Sequence, residues 1–194
     1  VHARTSIART PISRLLAAAT VTAAFGLAAV TVTAASAASA ASPRAARTAA
    51  TPACAASGID VWLNTQGNGT AGSIVYNLEL TNLSGKTCTL KGFPAVSGLD
   101  LEHKALGSPA SHNTSSPPAL VTLAKGANAH ALLQIVIVQN FPASSCHPVT
   151  AAGLGVVVPG GSASAFVPFP FGACSKTGDR YLSIGSIEKG LGAS

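Results

Sequence analysis

No Cys-x-x-Cys pair occurs in the 194 residues, and that removes the ligand spacing on which most structural zinc sites depend. No basic run is interleaved with aromatics, so the usual footprint of a nucleic-acid binder is missing. Acidic residues number only six, Asp60, Glu79, Asp100, Glu102, Asp179 and Glu188. A carboxylate pair for glycoside hydrolysis therefore has few candidates; Asp100 and Glu102 would share a face if their strand continued, but a solvated strand end explains them as well. The histidines His103, His112, His130 and His147 show neither i, i+2 nor i, i+4 spacing, so a metal site would have to be assembled entirely by the fold. Methionine is absent, and Val1 reads as a non-standard start codon taken literally.

Two apparent motifs fail on context. Gly85-Lys86-Thr87 imitates the end of a phosphate-binding loop, but the required first glycine falls at Leu80 and no helix opens there to hold a phosphate. Gly161-Ser162-Ala163-Ser164 lacks the closing glycine of a nucleophile elbow. The sequence thus offers no catalytic, cofactor-binding or metal-binding set.

What is present is an export pattern followed by cysteines. Arg4, Arg9 and Arg14 precede an uncharged Ala/Val/Leu/Thr stretch over residues 15–35, and Ala35-Ser36-Ala37 and Ala38-Ser39-Ala40 are small-residue cleavage sites. Residues 1–40 are expected to be a signal peptide, and the lack of adjacent arginines points to the general secretory route. Threonines dilute the apolar run and no stop-transfer flank follows, so no membrane association is expected after cleavage. Residues 41–53, rich in Ala, Ser, Thr and Pro, read as a flexible linker. The expected mature chain, residues 41–194, is long enough for one core. Its charge falls from +6 to a mild +3 once three of the twelve basic residues leave with the signal. Such a charge is ordinary for solubility, or would suit an anionic wall polymer.

Glycine and proline interrupt residues 54–194 too often for amphipathic helices of ordinary length, whereas short strands fit between them. The clearest strand is 73–81, where Ile74, Tyr76, Leu78 and Leu80 alternate with Val75, Asn77, Glu79 and Thr81. With the turn at 83–86 and a strand at 87–91, it is expected to form a hairpin. Other strands are expected at 59–64, bearing Trp62 and ending at a glycine-rich turn over 66–69, and at 96–101, 119–123, 128–139, 153–158, 163–167 and 180–187. Leu132, Leu133, Ile135, Val136, Ile137 and Val138 suggest a central strand covered on both faces, and the β-branched run Ile135-Val136-Ile137-Val138 favours strand over helix there. The expected fold is all-β, an immunoglobulin-like antiparallel sandwich of eight or nine strands.

Cys54, Cys88, Cys146 and Cys174 allow three disulfide connectivities. Pairing Cys54 with Cys88 and Cys146 with Cys174 fits the sequence best: Cys54 opens the domain, and Cys146 and Cys174 bracket a Pro/Gly-rich excursion. These loops of 34 and 28 residues would each contribute roughly 3 to 4 kcal/mol in the chain-entropy model.

The block Leu80-Thr81-Asn82-Leu83-Ser84-Gly85-Lys86-Thr87-Cys88-Thr89-Leu90-Lys91-Gly92-Phe93-Pro94-Ala95-Val96 resembles the signature of a family of secreted proteins from high-GC Gram-positive bacteria, domain of unknown function 4232. Val121-Thr122-Leu123-Ala124-Lys125-Gly126, Cys146-His147-Pro148, Val156-Val157-Val158-Pro159 and Cys174 agree with it; Lys125 departs, standing where the family has proline. The resemblance covers residues 54–190 and implies an exported β-sandwich with two disulfides, with no activity attached. In physical terms the block is a folding motif, with Asn82 and Gly85 suited to a turn and Phe93 turning into the core.

Function is then expected on the loops. Residues 107–118 form a polar stretch whose composition reads as disorder, with a presented loop as the alternative. Residues 159–174 carry Phe166, Phe169 and Phe171, a binding patch if exposed and core if buried. The expected role is an exported, non-catalytic binding or structural module, extracellular or held at the cell wall, with a wall polymer or an extracellular protein as partner and no nucleic acid. A secreted protease inhibitor or other loop-presenting binder is the alternative, and a cryptic hydrolase the third reading.

Overall fold

The computed structural model describes residues 50–193. The expected signal peptide lies outside the described residues, as does most of the expected linker. Pro52 and Ala53 already run beside the third strand, where the Thr89 amide donates to the Pro52 carbonyl.

Among the described residues, twelve strands form one mixed and two antiparallel sheets. The larger main sheet contains β1 (Ile59–Thr70), β2 (Ser73–Asn82), β8 (Asn128–Val136), β11 (Leu182–Ile184) and β6 (Ser111–His112) in that order, with β12 (Glu188–Lys189) also on β8. The smaller main sheet is β10 (Ser164–Cys174), β9 (Pro148–Val157), β4 (Ala95–Leu99) and β5 (Ala105–Leu106), while β3 (Cys88–Leu90) and β7 (Val121–Leu123) pair by themselves. All pairings between named strands are antiparallel except β11 with β6. The count exceeds eight or nine because β5, β6 and β12 are two-residue pairings, too short to carry a periodicity.

Alternation in β2 and β8 builds the core. Leu78, Leu80, Ala131 and Leu133 are fully buried on the larger sheet, and Leu154 and Val156 on the smaller one. At about 25 cal/mol per Å² of apolar surface, such side chains supply most of the drive to fold. Tyr181 is also fully buried, and its hydroxyl donates to the Leu106 carbonyl at 2.8 Å. Burial pushes its phenol up to about 12. Tyr181→Phe removes that hydrogen bond from a fully buried side chain and is expected to cost about 1 to 2 kcal/mol, read as a lower denaturation midpoint at unchanged slope.

Several expectations are corrected. Strand β2 does not form a hairpin with residues 87–91: both its edges are filled, by β1 and β8, and β3 pairs with β7. The glycine-rich segment 66–69 is not a turn but a continuation of β1 past a bulge between Asn64 and Asn68, and the chain reverses at Gly72, whose φ of 76° suits glycine. Strand β8 ends at Val136, not 139, and alternates between buried and less buried positions with Leu132 exposed; the apolar run over 135–138 is no sign of a second covering layer, because it passes out of the strand through the exposed Ile137 into a single 3-10 turn at Val138–Asn140. Phe93 is half-buried and stacks on His112 at 4.4 Å.

Candidate functional site

Antiparallel register sets the outer face of the larger sheet. Trp62 on β1 stands opposite Glu79 on β2, Glu79 opposite His130 on β8, and His130 opposite Glu188 on β12. A second row, one step along, runs Asn64, Asn77, Leu132. Four strands separated in sequence thus bring an indole, two carboxylates and an imidazole into one line.

The line is not open along its length. Gly190, with φ of 90°, turns the chain out of β12 and over the face. The imidazole Nδ1 of His130 lies 3.0 Å from the Gly190 carbonyl, a group that only accepts, so the ring proton sits on Nδ1. The Gly192 amide donates to Glu79 Oε1 at 3.0 Å, and the Asn77 amide to the Ala193 carbonyl at 2.8 Å. Glu79 and Asn77 are consequently 1% and 2% exposed. His130 Nε2 faces a Glu188 carboxylate oxygen at 3.9 Å.

Burial raises the Glu79 carboxyl above its ordinary value, against the lowering effects of the Gly192 amide and of His130. A carboxyl that holds its proton more tightly folded than unfolded favours the fold most at low pH. That contribution is lost as pH rises through the ordinary carboxyl range towards the folded value. Glu79→Gln removes the titration, so wild type is expected to lose melting temperature relative to the variant as pH rises through and above the ordinary carboxyl range. Thermal unfolding of both across that range checks it, and parallel curves refute it.

Beyond Glu188 the face opens into a groove. One wall is the end of the long polar loop with β7, including Pro117, Leu120 and Thr122; the other is Ser186, Ile187, Glu188 and Lys189, and the volume is about 480 Å³. A smaller hollow of about 100 Å³ continues it past Ser115, Ser116 and Leu132. The polar loop, expected to be disordered, is laid against the domain. The Ala110 amide donates to the Val96 carbonyl, Ser111 and His112 pair with β11, and the Asn113 amide donates to the Ile184 carbonyl. Its small polar residues read as disorder because these partners lie elsewhere in the chain.

Other sequence candidates fall apart or serve structure. His103 lies in the turn after β4 and stacks on Phe166, His112 is in β6, and His147 follows a four-residue helix, so the histidines do not converge. Strand β4 ends at Leu99, and Asp100 accepts from the Glu102 and Lys104 amides, which makes it a turn residue. Phe169 and Phe171 are half-buried; with Tyr76 and Ile137 they line a mainly apolar groove of about 330 Å³ between the sheets. Disulfides join Cys54 to Cys88 and Cys146 to Cys174. Asp179 lies beside the second bond, whose sulfurs, bonded to one another, are not thiolates. The row through Glu79 escaped sequence reasoning, since Gly192 is 113 residues from the carboxylate it caps. The one available signal was a lone acid in an otherwise uncharged strand.

Fold and face together define a disulfide-braced all-β module with a polar sheet face and a loop-walled groove. The chain belongs to the family described as Domain of unknown function (DUF4232), which matches residues 54–187. No curated protein and no solved structure matches it.

Proposed function

We propose that this is an exported, non-catalytic binding module of the cell exterior, whose ligand surface is the groove between residues 115–122 and 185–189. The groove itself carries the reading: its volume lies in the range of ligand sites, and its lining mixes the hydroxyls of Thr122 and Ser186 with the exposed Leu120. Hydroxyl and aliphatic groups side by side suit a hydroxyl-rich envelope polymer, with Glu188 and Lys189 supplying both signs of charge at the rim. Two disulfides support an oxidising location. Among the described residues no helix is long and apolar enough to cross a membrane. The pairing of Ser111 and His112 with β11 weighs against a protease inhibitor, because it ties down the loop that would enter a protease cleft.

Co-sedimentation with the insoluble envelope polymer of the producing cell tests the reading. Wild type is expected in the pellet and Leu120→Asp in the supernatant, since Leu120 is exposed and its replacement leaves the core untouched. Wild type remaining in the supernatant, or equal retention of both, overturns it.

A further inference from the structure

The hydrogen bonds that hold the segment Gly190 to Ala193 on the outer face of β2 and β8 all use its main chain. Its contacts are the Gly190 amide to the Asn128 carbonyl, the Gly190 carbonyl to His130, the Gly192 amide to Glu79 and the Ala193 carbonyl to Asn77. Its one large side chain, Leu191, is 56% exposed and contributes little burial. Selectivity comes from the two glycines. Gly190 needs its positive φ, and a Cβ at residue 192 would collide with the Asn77 carboxamide.

Occupancy by this segment is incomplete. Asn77 Oδ1 and Glu79 Oε2 are buried and have no hydrogen-bond partner among the described residues. A buried acceptor without a donor costs on the order of its desolvation, so the trough retains hydrogen-bonding capacity that Gly190 to Ala193 leaves unused. A segment fixed by a few partly exposed hydrogen bonds also opens at low free-energy cost.

We propose that Asn77, Glu79 and His130 form a peptide-binding site that reads the main chain of a Gly-x-Gly segment, that residues 190–193 are its resident ligand, and that a peptide of the same pattern exchanges with them in trans. The site is separate from the groove and does not depend on the function proposed for it. Exchange is a competition. A tethered segment acts at an effective concentration of about millimolar, so an added peptide binds weakly until the resident is displaced.

Trp62 is the single tryptophan and stands opposite Glu79, so its emission reports on this face alone. The probe is acetyl-Gly-Leu-Gly-Ala-amide, titrated against the intact chain, Gly192→Val in the intact chain, and a chain ending at Lys189. Gly192→Val sets a side chain against the Asn77 carboxamide and is expected to displace the resident segment without deleting residues, and the shortened chain vacates the same face by another route. Both altered chains are expected to show saturable change in Trp62 emission at a peptide concentration at least about tenfold below that needed by the intact chain. Acetyl-Gly-Leu-Val-Ala-amide is expected to bind them at least about tenfold more weakly, because its valine meets Asn77. No saturable change with either altered chain up to about 5 mM peptide, equal midpoints for intact and altered chains, or equal binding of the valine peptide each overturns the proposal.

Discussion

Replacing Asn82 with alanine is expected to cost the fold about 3 to 4 kcal/mol, more than an ordinary polar substitution. Asn82 is fully buried at the corner where β2 leaves the larger sheet. Its amide nitrogen donates to the carbonyls of Lys86, Leu123 and Ala124 at 2.7, 3.0 and 3.1 Å. Its carbonyl oxygen accepts from the Ser84 amide and hydroxyl. Alanine strips the side-chain donor from three carbonyls, that of Leu123 among them in the interior, and frees the turn that directs the chain from β2 to β3. Asn82→Asp separates donor from acceptor function: it preserves shape and the contacts to Ser84 but sets a carboxylate against three carbonyl oxygens. The aspartate variant should therefore be at least as unstable as the alanine variant near neutral pH. Urea denaturation of both settles it, and a loss below about 1 kcal/mol for aspartate would show that the donated hydrogen bonds do not hold the corner.

The same corner marks where local sequence stops being informative. Ile74, Tyr76, Leu78 and Leu80 announce a strand because alternation is a property of one segment. Asn82, Ser84 and Gly85 announce a turn because their conformational preferences are local too. Which strand follows the turn as neighbour is decided by edges. β1 and β8 occupy both sides of β2, and nothing within residues 73–91 encodes that competition. The candidate sites are less legible still. Glu79 looks like an ordinary outward residue of a half-buried strand until Gly192 arrives over it, and the groove exists only because residues 107–118 find partners at Val96, β11 and Ile184. The cysteines behave differently. Cys54 and Cys88 join where Ala53 pairs with Thr89, so here the pairing of consecutive cysteines along the chain coincides with proximity in space.

The second large effect lies in the bond between Cys146 and Cys174. By loop length alone the two disulfides are nearly equal, closing separations of 34 and 28 residues, and each is worth roughly 3 to 4 kcal/mol. Surroundings separate them. Cys146 and Cys174 are both fully buried, whereas Cys54 and Cys88 are 7% and 4% exposed at the edge of the small β3–β7 sheet. Removing Cys146 and Cys174 as alanines therefore adds the loss of core packing to the loss of the crosslink. It also releases a junction: the Lys176 amide donates to the Cys146 carbonyl and the Ser175 amide to that of His147. Gly107, where the polar loop begins, lies so close to the Cys174 carbonyl that no Cβ fits. The Cys146→Ala/Cys174→Ala double variant is expected to lose at least about 1 kcal/mol more than Cys54→Ala/Cys88→Ala, measured by denaturant midpoints at equal slopes. Equal losses would assign both bonds to chain entropy alone; a larger loss from the Cys54–Cys88 pair would contradict the packing argument. Because the loop that starts at Gly107 goes on to wall the groove, the Cys146/Cys174 variant should also lose envelope-polymer retention under conditions where it is still folded, while the Cys54/Cys88 variant retains more of it.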